Sequence, residues 1–244
     1  MPLARWRDAG HSALAAMNLT SEQIRNIIVY MVTLILSVAV HEWGHAFVAD
    51  KLGDNTPRSE GRVTLNPLAH ADPIGTFLLP LMTAVYAAAS GGGGGFGWGK
   101  PVMTRPSNFT RRFTMPTGMA MVAVAGPLMN VAFGLVLAIV HSVLIWQHVL
   151  PPGHPLHIAL INAVYINFTL FFFNMLPIPP ILDGGYIVAR FVPYKYRGVL
   201  DKVAVYGQFI LLAFMLISPL RKIFTVPAEF CLVHLYQLLG SIFS

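Results

Sequence analysis

The sequence predicts an all-α polytopic membrane protein, and three observations carry that prediction. Of 244 residues, 55% are hydrophobic and only 11% charged, with a mean hydropathy of +0.63; soluble domains carry about 25% charged residues. Apolar runs long enough to cross ~30 Å of hydrocarbon at ~1.5 Å per residue recur along the chain. The basic residues behind the +6 net charge sit in short segments between those runs. Retention of Lys and Arg on the cytoplasmic side explains such a pattern without nucleic acid as a partner. About five or six transmembrane helices are expected, with one re-entrant or short extended segment, in a single membrane-embedded domain over residues 1–244. The lone cysteine, Cys231, has no internal disulfide partner and reads as a packed thiol.

Residues 1–20 read as a polar N-terminal arm. Arg5 and Arg7 lie in it, but no long apolar core follows within the first 23 residues, so it is a poor signal peptide. Thr20 and Gln23 have the spacing of a capping box, which starts the first helix near Ser21. Gly53-Asp54-Asn55 should stop that helix after Leu52. Residues 53–72 form a mixed-charge loop. Residues 73–90 are apolar but carry Pro73, Gly75 and Pro80, and the glycine run Gly91 to Gly95 follows. That run reads either as a flexible linker or as a close backbone approach to the site. The Phe96-Gly97-Trp98-Gly99-Lys100-Pro101 stretch suits a short extended segment.

Residues 115–146 form an apolar helix that Pro127 should kink, leaving carbonyls in need of partners. Asn130, on the same helix, pairs helices in the simplest reading. Residues 147–157 hold His148, His154 and His157 without any Asp, Glu, Lys or Arg, and read as ordinary loop histidines rather than a second metal site. The apolar run 158–176 ends in Pro177, Pro179 and Pro180, which must break the helix. Asp183 follows the break, as a metal ligand or as the cap of the next helix. Residues 203–219 are a further span, and 220–244 a C-terminal apolar helix.

The chemistry concentrates in His41-Glu42-Trp43-Gly44-His45. Between Ile27 and Ala49 the only formally charged residue is Glu42. On a helix, His41 and His45 lie one turn apart, about 6 Å along the axis and on one face. Two imidazoles so placed can grip one zinc, and the glutamate beside the first can act as a general base on water. A catalytic zinc usually takes three protein ligands. Asp183 is the best candidate for the third, with His70 and Asp72 next.

These features resemble the site-2 protease family of intramembrane zinc metalloproteases, most closely its compact bacterial members without an inserted PDZ domain. The resemblance rests on His41-Glu42-x-x-His45, Gly61-Arg62-x-Thr64-Leu65-Asn66-Pro67, Trp98-x-Lys100-Pro101, Ala125-Gly126-Pro127-x-x-Asn130, and Asn174-x-x-Pro177-x-Pro179 leading to Leu182-Asp183-Gly184. It covers roughly residues 27–190. It implies one Zn2+ per chain held by His41, His45 and Asp183, with Glu42 as base. It also implies that Asn130 and Asn174 help hold the substrate backbone or the oxyanion. Ile181 is one residue more than the family's Pro-Pro-Leu-Asp-Gly run. On a helix that is a rotation of about 100°, and the broken stretch is expected to absorb it as a bulge.

The implied activity is hydrolysis of membrane-spanning or membrane-associated protein substrates, in a multi-pass protein of the bacterial plasma membrane. The 96–103 stretch, through Gly97 and Gly99, is expected to pair with an unwound substrate as an added strand. For the two half-sites to meet, residues 73–99 must enter and leave on one side. A catalytically inactive adaptor that binds transmembrane helices is the first alternative. A small ion transporter is the second, because broken helices and intramembrane acids also mark ion pathways. Oligomeric state and substrate identity are not legible.

Overall fold

The computed structural model describes residues 19–90, 97–178 and 181–243. Most of the N-terminal arm, the glycine run and Pro179-Pro180 lie outside the described residues. Helix α1 runs over Ser21–Lys51. Its capping box is formed, with Gln23 N donating to Thr20 Oγ1 at 3.2 Å and Thr20 N to Gln23 Oε1 at 2.8 Å. It stops where Gly53 takes φ +103°, a conformation that suits glycine. Two single-turn helices follow, α2 (Thr56–Ser59) and α3 (Pro67–His70), then a π-helical turn (Pro73–Leu78) leading into α4 (Leu79–Ser90). Helices α5 (Met115–Trp146), α6 (Pro155–Asn174), α7 (Asp183–Phe191), α8 (Arg197–Leu216) and α9 (Ser218–Ile242) complete the chain, and the described residues contain no strand.

Four of these helices, α1, α5, α6 and α9, are long and apolar enough to cross a membrane. This gives an all-α polytopic membrane protein with fewer full-length spans than the five or six expected. Pro73–Ala89 is apolar but shorter than a span, and α8 opens with Arg197, Asp201 and Lys202. The outer faces are apolar, with Ile28, Val136 and Phe230 each more than half exposed. That arrangement suits a lipid solvent, in which apolar side chains need no burial. Helix contacts inside rely on small residues: Ala39, Ala46, Ala49 and Ala138 are at most 1% exposed. One core cluster joins α5, α6 and α9 through Ala138, Val164, Phe168, Ala228 and Leu239.

The 73–99 segment leaves and returns to one place. Gln23 Nε2 donates to Ala88 O at 2.7 Å, so α4 runs back along α1 toward its N-terminal end. The chain is again beside its starting point at Trp98, whose N–H donates to Gly75 O at 2.9 Å, and at Lys100, whose N–H donates to His70 O at 2.8 Å. The C-terminal end of α1, the N-terminal end of α5 and the C-terminal end of α6 therefore lie at the same end of the bundle.

Candidate metal centre

His41 and His45 lie on the inner face of α1, each 9% exposed. Helix α5 crosses this face very closely. A Cβ on Gly44 would lie 2.7 Å from Met129 Cγ and 2.8 Å from Ala125 O. A Cβ on Gly126 would overlap the His45 ring and lie 2.9 Å from His41 Cε1. The small residues of both motifs thus bring the two helices together, and Gly126 seats the imidazoles. Pro127, inside α5, has no N–H to give the carbonyl of Ala123 and crowds that turn. The neighbouring Val122 carbonyl is taken by His45 Nδ1 at 2.7 Å.

Asp183 opens α7 and meets the two histidines. Its Oδ2 is 3.3 Å from His41 Nε2, and its Oδ1 is 3.4 Å from His45 Nε2. The broken stretch before it closes as a turn, with Ile181 N and Leu182 N both donating to Ile178 O. Gly184 allows α7 to start this close, since a Cβ on it would collide with the Met175 and Leu176 carbonyls.

Val122 O only accepts, so His45 Nδ1 carries its hydrogen. Asn130 Nδ2 donates to Ser37 O at 3.1 Å and to Asn167 Oδ1 at 3.0 Å. Its Oδ1 therefore faces His41 Nδ1, 2.7 Å away, and accepts from it. In the neutral rings both Nε2 atoms then hold lone pairs, yet they face each other at 3.0 Å with the Asp183 carboxylate beside them. Asp183 Oδ2 is buried and makes no hydrogen bond among the described residues. An assembly of lone pairs without a hydrogen between them is repulsive, and two imidazoles with one carboxylate match the ligand chemistry of zinc. Among the described residues His41, His45 and Asp183 are the one cluster of three such groups able to hold a metal, with ligand atoms within 4.8 Å of one another.

Glu42 is buried beside them and accepts from Val102 N–H at 3.1 Å. That bond ties it to the segment that lies beside Gly75 and His70 at Trp98 and Lys100. The segment is itself held by Thr76 Oγ1 on Trp98 O, at 2.9 Å, and by the Arg62 guanidinium on the Lys100 and Ala69 carbonyls. Gly97 and Gly99 fit because any side chain there would meet Pro80 and Gly75 or Val38. Together these elements wall a cavity of about 480 Å3 that contains His41, Glu42, His45 and Asp183, with Gly97, Gly99 and Asn174 on its lining.

The other sequence candidates are placed differently. Asn130 also borders the cavity, but it is 0% exposed and both its Nδ2 hydrogens are used inside the bundle. Asn174 reaches the cavity while Nδ2 donates back to Leu170 O at 3.0 Å. His70 is buried with Nε2 on Thr64 O at 2.8 Å, and burial pushes its imidazole below the ordinary range. Asp72 caps the π-helical turn through Ile74 N and Gly75 N. Neither belongs to the three-residue cluster. At the far end of the bundle His154 caps α6, and His157 bridges Pro151 O and the buried His141. Sequence reasoning passed over Ser37 and Asn167, and named Gly126 only as part of a motif. Ser37 had a signal, lying one helical turn before His41 on the same face.

The fold and the site define a class: an integral membrane protein with a His-His-Asp cluster fit for a metal and a glutamate at its side. Comparison with known proteins narrows this. The chain is 35% identical over 201 residues to "Putative zinc metalloprotease YwhC" of Bacillus subtilis, covering 78% of this chain and 80% of that protein. It is 27% identical over 187 residues to "Putative zinc metalloprotease Rip2" of Mycolicibacterium smegmatis, covering 76% of this chain and 65% of that one. To the Mycobacterium tuberculosis protein of that name it is 30% identical over 154 residues, 62% of this chain and 52% of that one. No protein-family model matches, and no solved structure matches significantly. The chain belongs to the site-2 protease family of zinc metalloproteases, and its His41, His45 and Asp183 cluster could hold such a metal.

Proposed function

We propose that this chain is an intramembrane endopeptidase of the site-2 type, residues 1–244 forming one membrane-embedded domain of the bacterial plasma membrane. Its substrates are membrane-spanning or membrane-associated proteins. The observation that carries the reading is the convergence of His41 Nε2, His45 Nε2 and the Asp183 carboxylate beside Glu42, in a cavity lined by the 97–102 segment.

His41, His45 and Asp183 would hold one zinc. When bound, zinc polarises a carbonyl oxygen and acidifies water toward a pKa of ~7. Glu42 takes the proton from the attacking water and gives it to the leaving amide nitrogen. Val102 N–H orients the Glu42 carboxylate for both transfers. Asn174 contacts the substrate backbone from the cavity wall. Along the wall, Trp98 and Lys100 use their backbone groups inward, whereas the backbone groups of Gly97 and Gly99 pair with nothing among the described residues. An unwound substrate strand pairs with those free groups. The re-entrant segment and the polar ends of the broken segments line the path for water.

The test is cleavage of a single-span substrate in proteoliposomes by the wild type and by Glu42→Gln. Hydrolysis should fall by about 10^2 or more in the variant while zinc stays bound. Cleavage that persists in Glu42→Gln would remove Glu42 from its role. Substrate capture without cleavage by the zinc-loaded wild type would favour the adaptor, and ion flux without cleavage the transporter.

A further inference from the structure

Below the site, a row of buried polar groups crosses from α6 through α5 to α1. Ser37, Asn130 and Asn167 are all 0% exposed. In a helix bundle such groups are commonly read as helix glue. Here the pattern of donors and acceptors is directional. Asn167 Nδ2 donates to Ala163 O at 2.9 Å and to Ser37 Oγ at 2.9 Å. A backbone carbonyl only accepts, so the Ala163 contact fixes the Asn167 amide with its oxygen toward Asn130. That oxygen and the Ser37 carbonyl take both Nδ2 hydrogens of Asn130. Asn130 is left with only its oxygen for His41 Nδ1.

We propose that Asn167 is a positioning residue of the metal centre: together with Ser37 it fixes which way the Asn130 amide faces, and through it which nitrogen of His41 carries the hydrogen. The inference rests on the reading of His41 as a ligand. If the Asn130 amide turned over, its NH2 would face His41 Nδ1. The ring would then carry its hydrogen on Nε2, aimed at His45 and Asp183. That tautomer cannot donate a lone pair to a metal through Nε2. Asn167 touches neither metal nor substrate and acts only through the orientation of its neighbour. Partners of this kind set ligand orientation in metal sites generally, and their loss costs about 10- to 100-fold in affinity.

The experiment uses the full chain in detergent, as wild type, Asn167→Ala, Asn167→Leu and Ser37→Ala. Zinc dissociation constants are measured by chelator competition, and 15N shifts of the histidine rings are recorded in zinc-free protein at pH 8. Asn167→Leu fills the space in case the smaller variant unfolds. Wild-type His41 should be the Nδ1–H tautomer. Either Asn167 variant should mix the tautomers and weaken zinc binding by about tenfold or more. Ser37→Ala keeps the Ser37 carbonyl and should change affinity less than about threefold.

An epistatic measurement separates positioning from packing. Asn130→Asp presents only acceptors, whichever way it faces, so Asn167→Ala added to it should cost no further affinity. The proposal is overturned if the folded Asn167 variants keep both the wild-type tautomer and zinc affinity within about threefold, or if the loss is undiminished in the Asn130→Asp background. If the wild type binds no zinc but the tautomer responds to Asn167 as described, the metal assignment fails and the positioning role stands.

Discussion

Gly126 of α5 lies against the imidazole of His45 with no space for a methyl group between them. In an exposed helix interior, Gly→Ala stabilises by about 0.5–1 kcal/mol through backbone entropy. At Gly126 the sign should reverse, because the new Cβ meets both metal-facing rings. Gly126→Ala should destabilise by about 1–3 kcal/mol and lose most of its zinc. Gly240→Ala on α9, with nothing within 4 Å of its Cβ position, should be neutral or slightly stabilising. Thermal unfolding in detergent with metal analysis would check both. A Gly126→Ala protein that keeps zinc and stability would refute the close contact.

Zinc content should be about one per chain in the purified wild type and sharply lower in Asp183→Ala. The aspartate supplies the only carboxylate in the cluster. Metal analysis after dialysis against a mild chelator measures this. Equal zinc in both proteins would move the third ligand elsewhere.

Asp54 should make stability depend on acid. It is 0% exposed and accepts from Thr56 N at 3.1 Å, Thr56 Oγ1 at 2.6 Å, Asn108 Nδ2 at 3.0 Å and Arg105 N at 2.5 Å. Burial alone would raise its pKa, but the hydrogen bonds from Arg105, Thr56 and Asn108 outweigh it and hold the carboxyl below the ordinary range. A depressed folded pKa adds stability above the unfolded value of about 3.9, and that stability is lost as pH falls through the folded value. Asp54→Asn should therefore melt below the wild type at neutral pH, and the gap should narrow below pH ~4. A constant gap across that range would exclude the carboxylate as its source.

Proline substitution at Gly97 or Gly99 is a poor test of strand pairing, because any side chain there collides with its surroundings. Backbone N-methylation of the substrate leaves the enzyme untouched. Peptides methylated at alternate positions near the scissile bond should lose cleavage by about fivefold where an N–H meets the Gly97 or Gly99 carbonyl, for about 1 kcal/mol per lost bond. Uniform cleavage along the methylation series would count against an added strand.

The sequence by itself determined the solvent and the local chemistry. Composition required a membrane, the Thr20–Gln23 cap and Gly53 bounded the first helix, and the four-residue spacing of His41 and His45 put both rings on one face. These are short-range or compositional properties, readable wherever helical geometry holds. Only the tertiary structure decided what crosses between helices. Asp183 is distant in sequence, and its approach depends on a turn at Ile178–Leu182 and on the missing side chain of Gly184. Asn130 reads from its own helix as a helix-pairing group and from the family resemblance as a substrate contact, and it is Ser37 and Asn167 that take its donors. Ser37 and Asn167 are 130 positions apart. No periodicity along one helix tells which polar group on another will face it, because helix crossing is set by where small residues let backbones meet.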